Sequence, residues 1–255
     1  IQNYGWREAW GALGVLVTLI IIPLSFLFLR GEPSDLGLEI MEPKDEKAKS
    51  PTVLEDDWTA KEALKHPVSW VIVTAYSTGG FALTGVLLHR VAYWESLGIS
   101  PALVAFGTAL DPLTFMFSVV LFGIIGERVK MQHLGLYGGL VFTLSMFAII
   151  TSTGQTYSII VHNIVWAAGG GAYITTNNLI WPSYFGRKFL GTIRGVVFPI
   201  QVAATGLGPP VYGFLLDSGV APKTLWVISA FLFTIAGLLL FLAKPPKRRI
   251  STMKK

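Results

Sequence analysis

The sequence predicts an all-α membrane protein. Three observations carry this. Charged residues make up 14% of the 255 and hydrophobic residues 52%, whereas an ordinary soluble domain carries roughly 25% charge. The mean hydropathy is +0.58. Solid apolar runs long enough to cross a bilayer, which takes about 20 residues, recur along the chain, where a membrane barrel would show short alternating segments. The same composition excludes a disordered chain, which needs low hydrophobicity. The absence of cysteine excludes a disulfide scaffold, thiol chemistry and Cys-based zinc sites.

Seven spans are expected, at about 9–29, 68–94, 102–125, 134–152, 157–181, 195–216 and 225–243. Four parts follow: a first transmembrane helix in 1–29, a polar linker in 30–67, a six-helix domain in 68–243 and a basic tail in 244–255. The opening segment 1–8 holds no signal peptide. With Ile1 in place of a start methionine, the chain reads as lacking an N-terminal portion. Pro33, Pro43, Pro51 and a charge-dense run at 42–49 make the linker a flexible connector. Its end, 57–65, has Trp58, Ala60 and Leu64 with a cap at Asp57 or Thr59, and predicts a short helix at the membrane surface.

Lys and Arg set the orientation. One set of loops holds Arg30, Lys44, Lys47, Lys49, Lys61 and Lys65, then Arg128 and Lys130, then Arg187, Lys188 and Arg194. The tail adds Lys244, Lys247, Arg248, Arg249, Lys254 and Lys255, whereas the opposite side holds only Arg7, Arg90 and Lys223. Linker and C-terminus are therefore expected in the cytoplasm, in a multi-pass protein of the plasma (inner) membrane. The net charge of +5 follows from this rule and from attraction to anionic lipid. No nucleic-acid motif accompanies it.

The six spans after the linker divide as three plus three. Ser77-Thr-Gly-Gly80 and Gly169-Gly-Gly171 sit near the middle of the first helix of each triplet. Asp111-Pro112 and the run from Thr205 to Pro210 sit in the second helices. Matched breakers predict an inverted repeat with interrupted helices, although Gly and Pro also serve close packing and kinks in membrane helices. Enzymatic chemistry is not expected. There is no phosphate-binding loop, no Ser, His and Asp group with nucleophile spacing, and no metal spacing among His66, His89, His133 and His162.

Several segments resemble the major facilitator superfamily, in its branch of monocarboxylate and oxalate/formate transporters. They are Gly5-Trp-Arg-Glu-Ala-Trp10, Arg30-Gly-Glu-Pro-Ser-Asp-Leu-Gly37, Asp57-Trp58-Thr59 through Glu62-Ala-Leu64 with His66-Pro67 and Trp70, and Gly191-Thr-Ile-Arg194-Gly195 through Gly206, Gly208-Pro209 and Gly213. The resemblance covers the whole chain as the second half of such a protein, helices six to twelve. The family's loop motif is met only at its front, in Gly123-Ile-Ile-Gly-Glu127-Arg128, with Glu in place of Asp and the trailing Gly-Arg-Arg lost. It implies interdomain or gating contacts for Glu127, Arg128 and Arg194, with Glu127 unpaired in this piece.

Candidate site residues lie inside the spans. Asp111 is about ten residues into its span, where an ionisable group marks function by default. The plainer role is an Asp-Pro kink. The resemblance adds that monocarboxylate carriers have such an Asp four residues before an Arg, and here that residue is Phe115. The cation would have to come from elsewhere. His89 closes the outer end of its span, at a cavity mouth or in the interface. Arg90 beside it reads as interfacial snorkelling. His162, Trp166, Gly169 and Tyr173 share one helix face, a cavity wall or a helix seam. Tyr76, Asn163 and Gln201 complete the candidate wall, and Asn177 and Asn178 are expected in helix-helix hydrogen bonds.

The resemblance implies a secondary carrier of a small, monocarboxylate-like anion, moved with a proton by alternating access. Asp111 would couple the proton, no cofactor or metal would take part, and the partners would be the lipid bilayer and a missing N-terminal half. Two other readings stay open. A complete seven-helix receptor or retinal protein fits the span count, but lacks a Lys in span seven and any cysteine. The other is a non-transporting scaffold descended from carriers.

Overall fold

The computed structural model describes residues 5–28 and 58–247. The chain falls into two units, Ile1–Thr52 and Val53–Lys255. Within the first, α1 (Trp6–Phe28) is a helix whose described surface is apolar on every side, with Trp10, Leu19 and Phe26 exposed. The linker residues 29–57 and the tail 248–255 lie outside the described residues, and the readings made for them with them.

The second unit is helical. It runs α2 (Ala60–Lys65), α3 (Pro67–Ser96), α4 (Pro101–Gly126), α5 (Met131–Ile150), α6 (Thr156–Phe185), α7 (Leu190–Asp217) and α8 (Pro222–Leu242). Every expected span is a helix, with ends displaced by a few residues. Pro67, Pro101 and Pro222 each occupy the first turn, where proline's fixed φ and missing N–H cost nothing. That moves three helix starts upstream of the apolar runs. The expected surface helix is a single turn and a half. Of its two candidate caps Thr59 is used, in a capping box with Glu62. Gly186, at φ 78°, ends α6 in the left-handed region.

Among the described residues six helices are long and apolar enough to cross a bilayer: α1, α3, α4, α5, α7 and α8. The remaining expected span, α6, has 30 residues, about 45 Å of helix, but is more polar. His162, Asn163 and Thr176 are fully buried in it. It packs against α4 and α5, and these neighbours shield its polar groups.

The packing has the symmetry of the expected repeat. α3 lies against α7 and α8, α6 against α4 and α5, and α5 against α8. Exchanging the triplets (α3 with α6, α4 with α7, α5 with α8) maps each of these pairs onto another or onto itself. The register agrees. A Cβ on Gly80 would run into Thr205 and one on Gly170 into Phe115, while Gly208 meets Phe81 and Gly171 meets Ser118. Each residue and its image are 90 positions apart: 80 and 170, 81 and 171, 115 and 205, 118 and 208.

The expected interruptions are absent. α3, α4, α6 and α7 run as continuous α-helix through Gly79-Gly80, Pro112, Gly169–Gly171 and Pro199, Pro209 and Pro210. The glycines serve close approach instead, since a Cβ on any of Gly79, Gly80 or Gly171 would strike a neighbouring helix. At the α5–α8 seam backbone meets backbone, and a Cβ on Gly139 would lie 2.6 Å from Gly237 Cα.

Candidate functional site

Asp111 projects from α4 one turn after Gly107, and its carboxylate pairs with the guanidinium of Arg90 on α3. The side chains are 15% and 3% exposed. Arg90 therefore does not snorkel. It turns into the bundle because its neighbours there offer a carboxylate, a ring nitrogen and an aromatic face. Arg90 Nη1 lies 3.4 Å from His162 Nε2, and Cζ sits 5.2 Å from the centre of the Trp166 ring, within cation–π range. His162 Nδ1 is 2.9 Å from the carbonyl oxygen of Ser145. A carbonyl only accepts, so Nδ1 carries the proton and the Nε2 lone pair faces Arg90. His162 also stacks on Trp166, 5.6 Å between centroids, and Trp94 meets it edge-on at 5.9 Å.

The cation that the Asp111 helix lacks at Phe115 is thus supplied by α3. Sequence reasoning passed over Arg90, although a signal was present. A carboxylate inside a span needs a cation, and of the three basic residues assigned to the outer side only Arg90 lies within an apolar run. The pair is incompletely satisfied, for Arg90 Nε and Asp111 Oδ1 make no hydrogen bond.

The other sequence candidates separate. Trp166 packs on Phe142 of α5 and Phe233 of α8, so the His162–Tyr173 face is a helix seam that also touches Arg90. Asn163 is fully buried, faces α4 beside Gly107, and neither amide atom has a partner. Tyr76 packs against Tyr173 across 4.7 Å between centroids, with mutual long hydrogen bonds to main-chain oxygens at 3.3–3.4 Å. His89 turns away from Asp111, its Nδ1 donating to the Gly85 oxygen at 2.9 Å and its ring beside Tyr212 of α7. Glu127 caps the end of α4, and it and Arg128 are exposed.

Gln201 belongs to a second place. It lines a cavity of about 420 Å³ between α6 and α7, with Asn177, Asn178, Trp181 and Arg194. Arg194 Nη2 donates to the main-chain oxygen of Asn178 at 2.8 Å. Arg194, Val197, Phe198 and Gln201 follow helical spacing along one face of α7. Gln201 is 6% exposed, and its Nε2 donates to nothing. Arg194, expected in an interdomain contact, is here a cavity wall. Asn177 and Asn178, expected in helix-helix hydrogen bonds, line the cavity too, and it is the main-chain oxygen of Asn178 that accepts across from α7.

Comparison with known proteins gives two findings. The family description "Major Facilitator Superfamily" matches residues 1–209. The chain is also similar to an oxalate:formate antiporter of Oxalobacter formigenes, with 22% identity over 213 residues, 81% of this chain and 48% of the relative. The chain thus spans about half the length of the curated relative it matches.

Proposed function

The chain belongs to the Major Facilitator Superfamily, whose members are multi-pass membrane transporters and not enzymes, and from that premise we propose that it is the C-terminal half of a secondary carrier for a small organic anion. The family match removes the seven-helix receptor as a rival. The proposal includes alternating access by rocking against an N-terminal half, in a plasma (inner) membrane with linker and tail on its cytoplasmic side.

The observation that carries it is the Arg90–Asp111 pair inside the bundle. An ion pair at this depth is costly to bury and often less stable than apolar residues of the same volume, so its presence speaks for function. When Asp111 is ionised it occupies the guanidinium. When Asp111 takes a proton, Arg90 becomes available to a substrate carboxylate, which it holds with charge-assisted N–H bonds. Anion binding is then tied to proton binding. His162 Nε2 and the Trp166 face keep the guanidinium in place while its partner changes. The similarity to an oxalate:formate antiporter supports a carboxylate as substrate.

The test is Asp111→Asn in the full-length carrier, reconstituted in vesicles. Anion exchange is expected to continue with reduced dependence on pH, because Arg90 no longer competes with a charge. Accumulation driven by an imposed proton gradient is expected to vanish. Gradient-driven uptake equal to the parent protein's would refute the coupling role.

A further inference from the structure

The polar cluster occupies one copy of the repeat and not the other. At the 90-residue interval the images of Arg90, Asp111, His162 and Asn163 are Ile180, Gln201, Ile72 and Val73. Ile72, Val73 and Ile180 are all buried, so the same architecture closes with apolar side chains at those places. Each second helix touches the first helix of its own triplet only lightly, α4 against α3 and α7 against α6, which leaves a gap on either side of the bundle. Arg90 and Asp111 meet across the first gap, and Ile180 and Gln201 stand at its image. His162 is accounted for by its contacts with Ser145 and Arg90. Asn163 is not. It is fully buried, and neither its amide oxygen nor its amide nitrogen has a partner. Such a group is destabilising, and Val73 shows that the fold accepts an apolar residue at the equivalent place.

The contacts between α4 and α6 set its level. A Cβ on Gly107 would lie 3.4 Å from the Asn163 amide, and one on Gly170 would lie 3.2 Å from Phe115. Asp111 is midway between Gly107 and Phe115, one turn from each, so it lies between the levels of Asn163 and Gly170. The strip of α6 that faces α4 there is Ile159, Asn163, Ala167 and Gly170, and Asn163 is its polar member. Side chains lean toward the N-terminus of their own helix, which carries the Asp111 carboxyl back toward Gly107 and Asn163. One carboxyl oxygen, Oδ2, is held by Arg90, and the other, Oδ1, makes no hydrogen bond.

We infer that Asn163 is the positioning residue that receives Asp111 once its carboxyl is protonated. A protonated carboxyl donates its O–H and accepts at its carbonyl oxygen, and a primary amide offers the complementary pair. Together they close a ring of two hydrogen bonds, which satisfies both orphan atoms of Asn163. A carboxylate only accepts, and would leave the amide oxygen without a donor. The proton passes from water to a carboxyl oxygen, the ion pair with Arg90 opens, and the neutral carboxyl turns to α6. The ionisable groups at this level are Arg90 from α3 and, behind it, His162 from α6. His89 and Tyr93 of α3 turn instead to Tyr212 on α7 and Trp226 on α8. The seam thus holds the loaded carboxyl away from the guanidinium. This inference deepens the coupling reading and rests on it only in that Asp111 takes a proton.

The test is an infrared pH titration of the full-length protein in detergent, which needs no substrate. Acidification is expected to raise the carbonyl band of a protonated, hydrogen-bonded carboxyl, and Asp111→Asn is expected to lack it. In Asn163→Leu the band is expected at higher frequency, as for a carbonyl without a donor. The proton concentration that half-raises it is expected to be about tenfold higher, for the loss of two neutral hydrogen bonds. Asn163→Ala, which adds no bulk against Gly107, is expected to shift both in the same directions. Ile159→Val, on the same strip, is expected to shift neither. The inference is overturned if Asp111→Asn removes no band, if either folded Asn163 variant keeps the parent's band and midpoint, or if Ile159→Val moves them as far. If this pattern holds while Asp111→Asn still shows gradient-driven uptake, only the coupling reading falls. If Asp111→Asn abolishes gradient-driven uptake and the band is indifferent to Asn163, only the assignment of Asn163 falls.

Discussion

Removing Arg90 separates a buried ion pair from ordinary packing. In Arg90→Met the carboxylate of Asp111, 15% exposed, loses its cation. His162 Nε2 loses a donor and the Trp166 ring a cation. Breaking a buried pair from one side costs about 3–5 kcal/mol. Asp111 can relieve part of this by taking a proton, so the lower end, about 3 kcal/mol, is expected for this pair. Asp111→Asn leaves the guanidinium a neutral amide oxygen, the ring nitrogen and the aromatic face but no counter-charge, and a similar loss of about 3 kcal/mol follows. In the double variant neither side chain is charged, and Met fills most of the arginine's volume. Its loss is expected to be no greater than that of the worse single variant, about 3 kcal/mol, so the coupling is about 3 kcal/mol. Unfolding in mixed detergent and dodecyl sulfate at neutral pH reads all three. Losses that add to about 6 kcal/mol, within about 0.5 kcal/mol, would mean that the two residues act independently and would refute the pair as a unit.

Two further outcomes concern the frame around the site. Gly139→Leu drives a side chain into Gly237 and the Phe233 carbonyl, with a Cβ 2.6–2.8 Å from their atoms. No flexible group there can yield, so a loss above the usual 1–3 kcal/mol of overpacking is expected in the same unfolding assay, whereas Gly195→Ala, whose added Cβ meets nothing within 4 Å, is expected to cost no stability. Trp58→Ala removes a ring that is 9% exposed and packs edge-on against Phe185 and His66. About 3–5 kcal/mol of local packing goes with it, and faster proteolysis ahead of α2 than in the parent is the expected readout.

What was legible in the sequence followed from local chemistry. Apolar runs gave the helices, because a bilayer leaves the backbone no other way to satisfy its hydrogen bonds within one segment. The paired Gly and Pro clusters gave the repeat, because close helix crossings need small residues at fixed depth. Their meaning was misread. Local rules treat Gly-Gly and Asp-Pro as breakers, while neighbouring helices in the bundle keep those segments helical. Asp111 was legible because a lone carboxylate in a span is conspicuous. Arg90 was not, because its position near a helix end permits either snorkelling outward or turning inward, and the choice depends on what α4 and α6 offer from 21 and 72 residues away. Arg194 and Gln201 were each noticed, and helical spacing puts them on one face of α7, but nothing local shows that this face borders a cavity. The cavity exists because α6 and α7 touch only lightly, a property of the repeat and not of either helix.

The two gaps are related by architecture and opposed in chemistry, an asymmetry that the proposed carrier half would use. A symmetric bundle with matched pairs in both gaps would hold each gap shut at similar cost. A bundle with neither would have no charge to exchange. Here one gap is closed by an internal anion, Asp111, on an internal cation, while its image presents a cation at the wall and an amide donor with no acceptor. Replacing Gln201 with Asp and Ile180 with Arg would copy the first gap into the second. A new pair of that kind is expected to fill the cavity and to show a second coupling of about 3 kcal/mol while leaving the Arg90–Asp111 coupling at about 3 kcal/mol. Losses that simply add at the new pair would show that the two gaps are not images in any energetic sense.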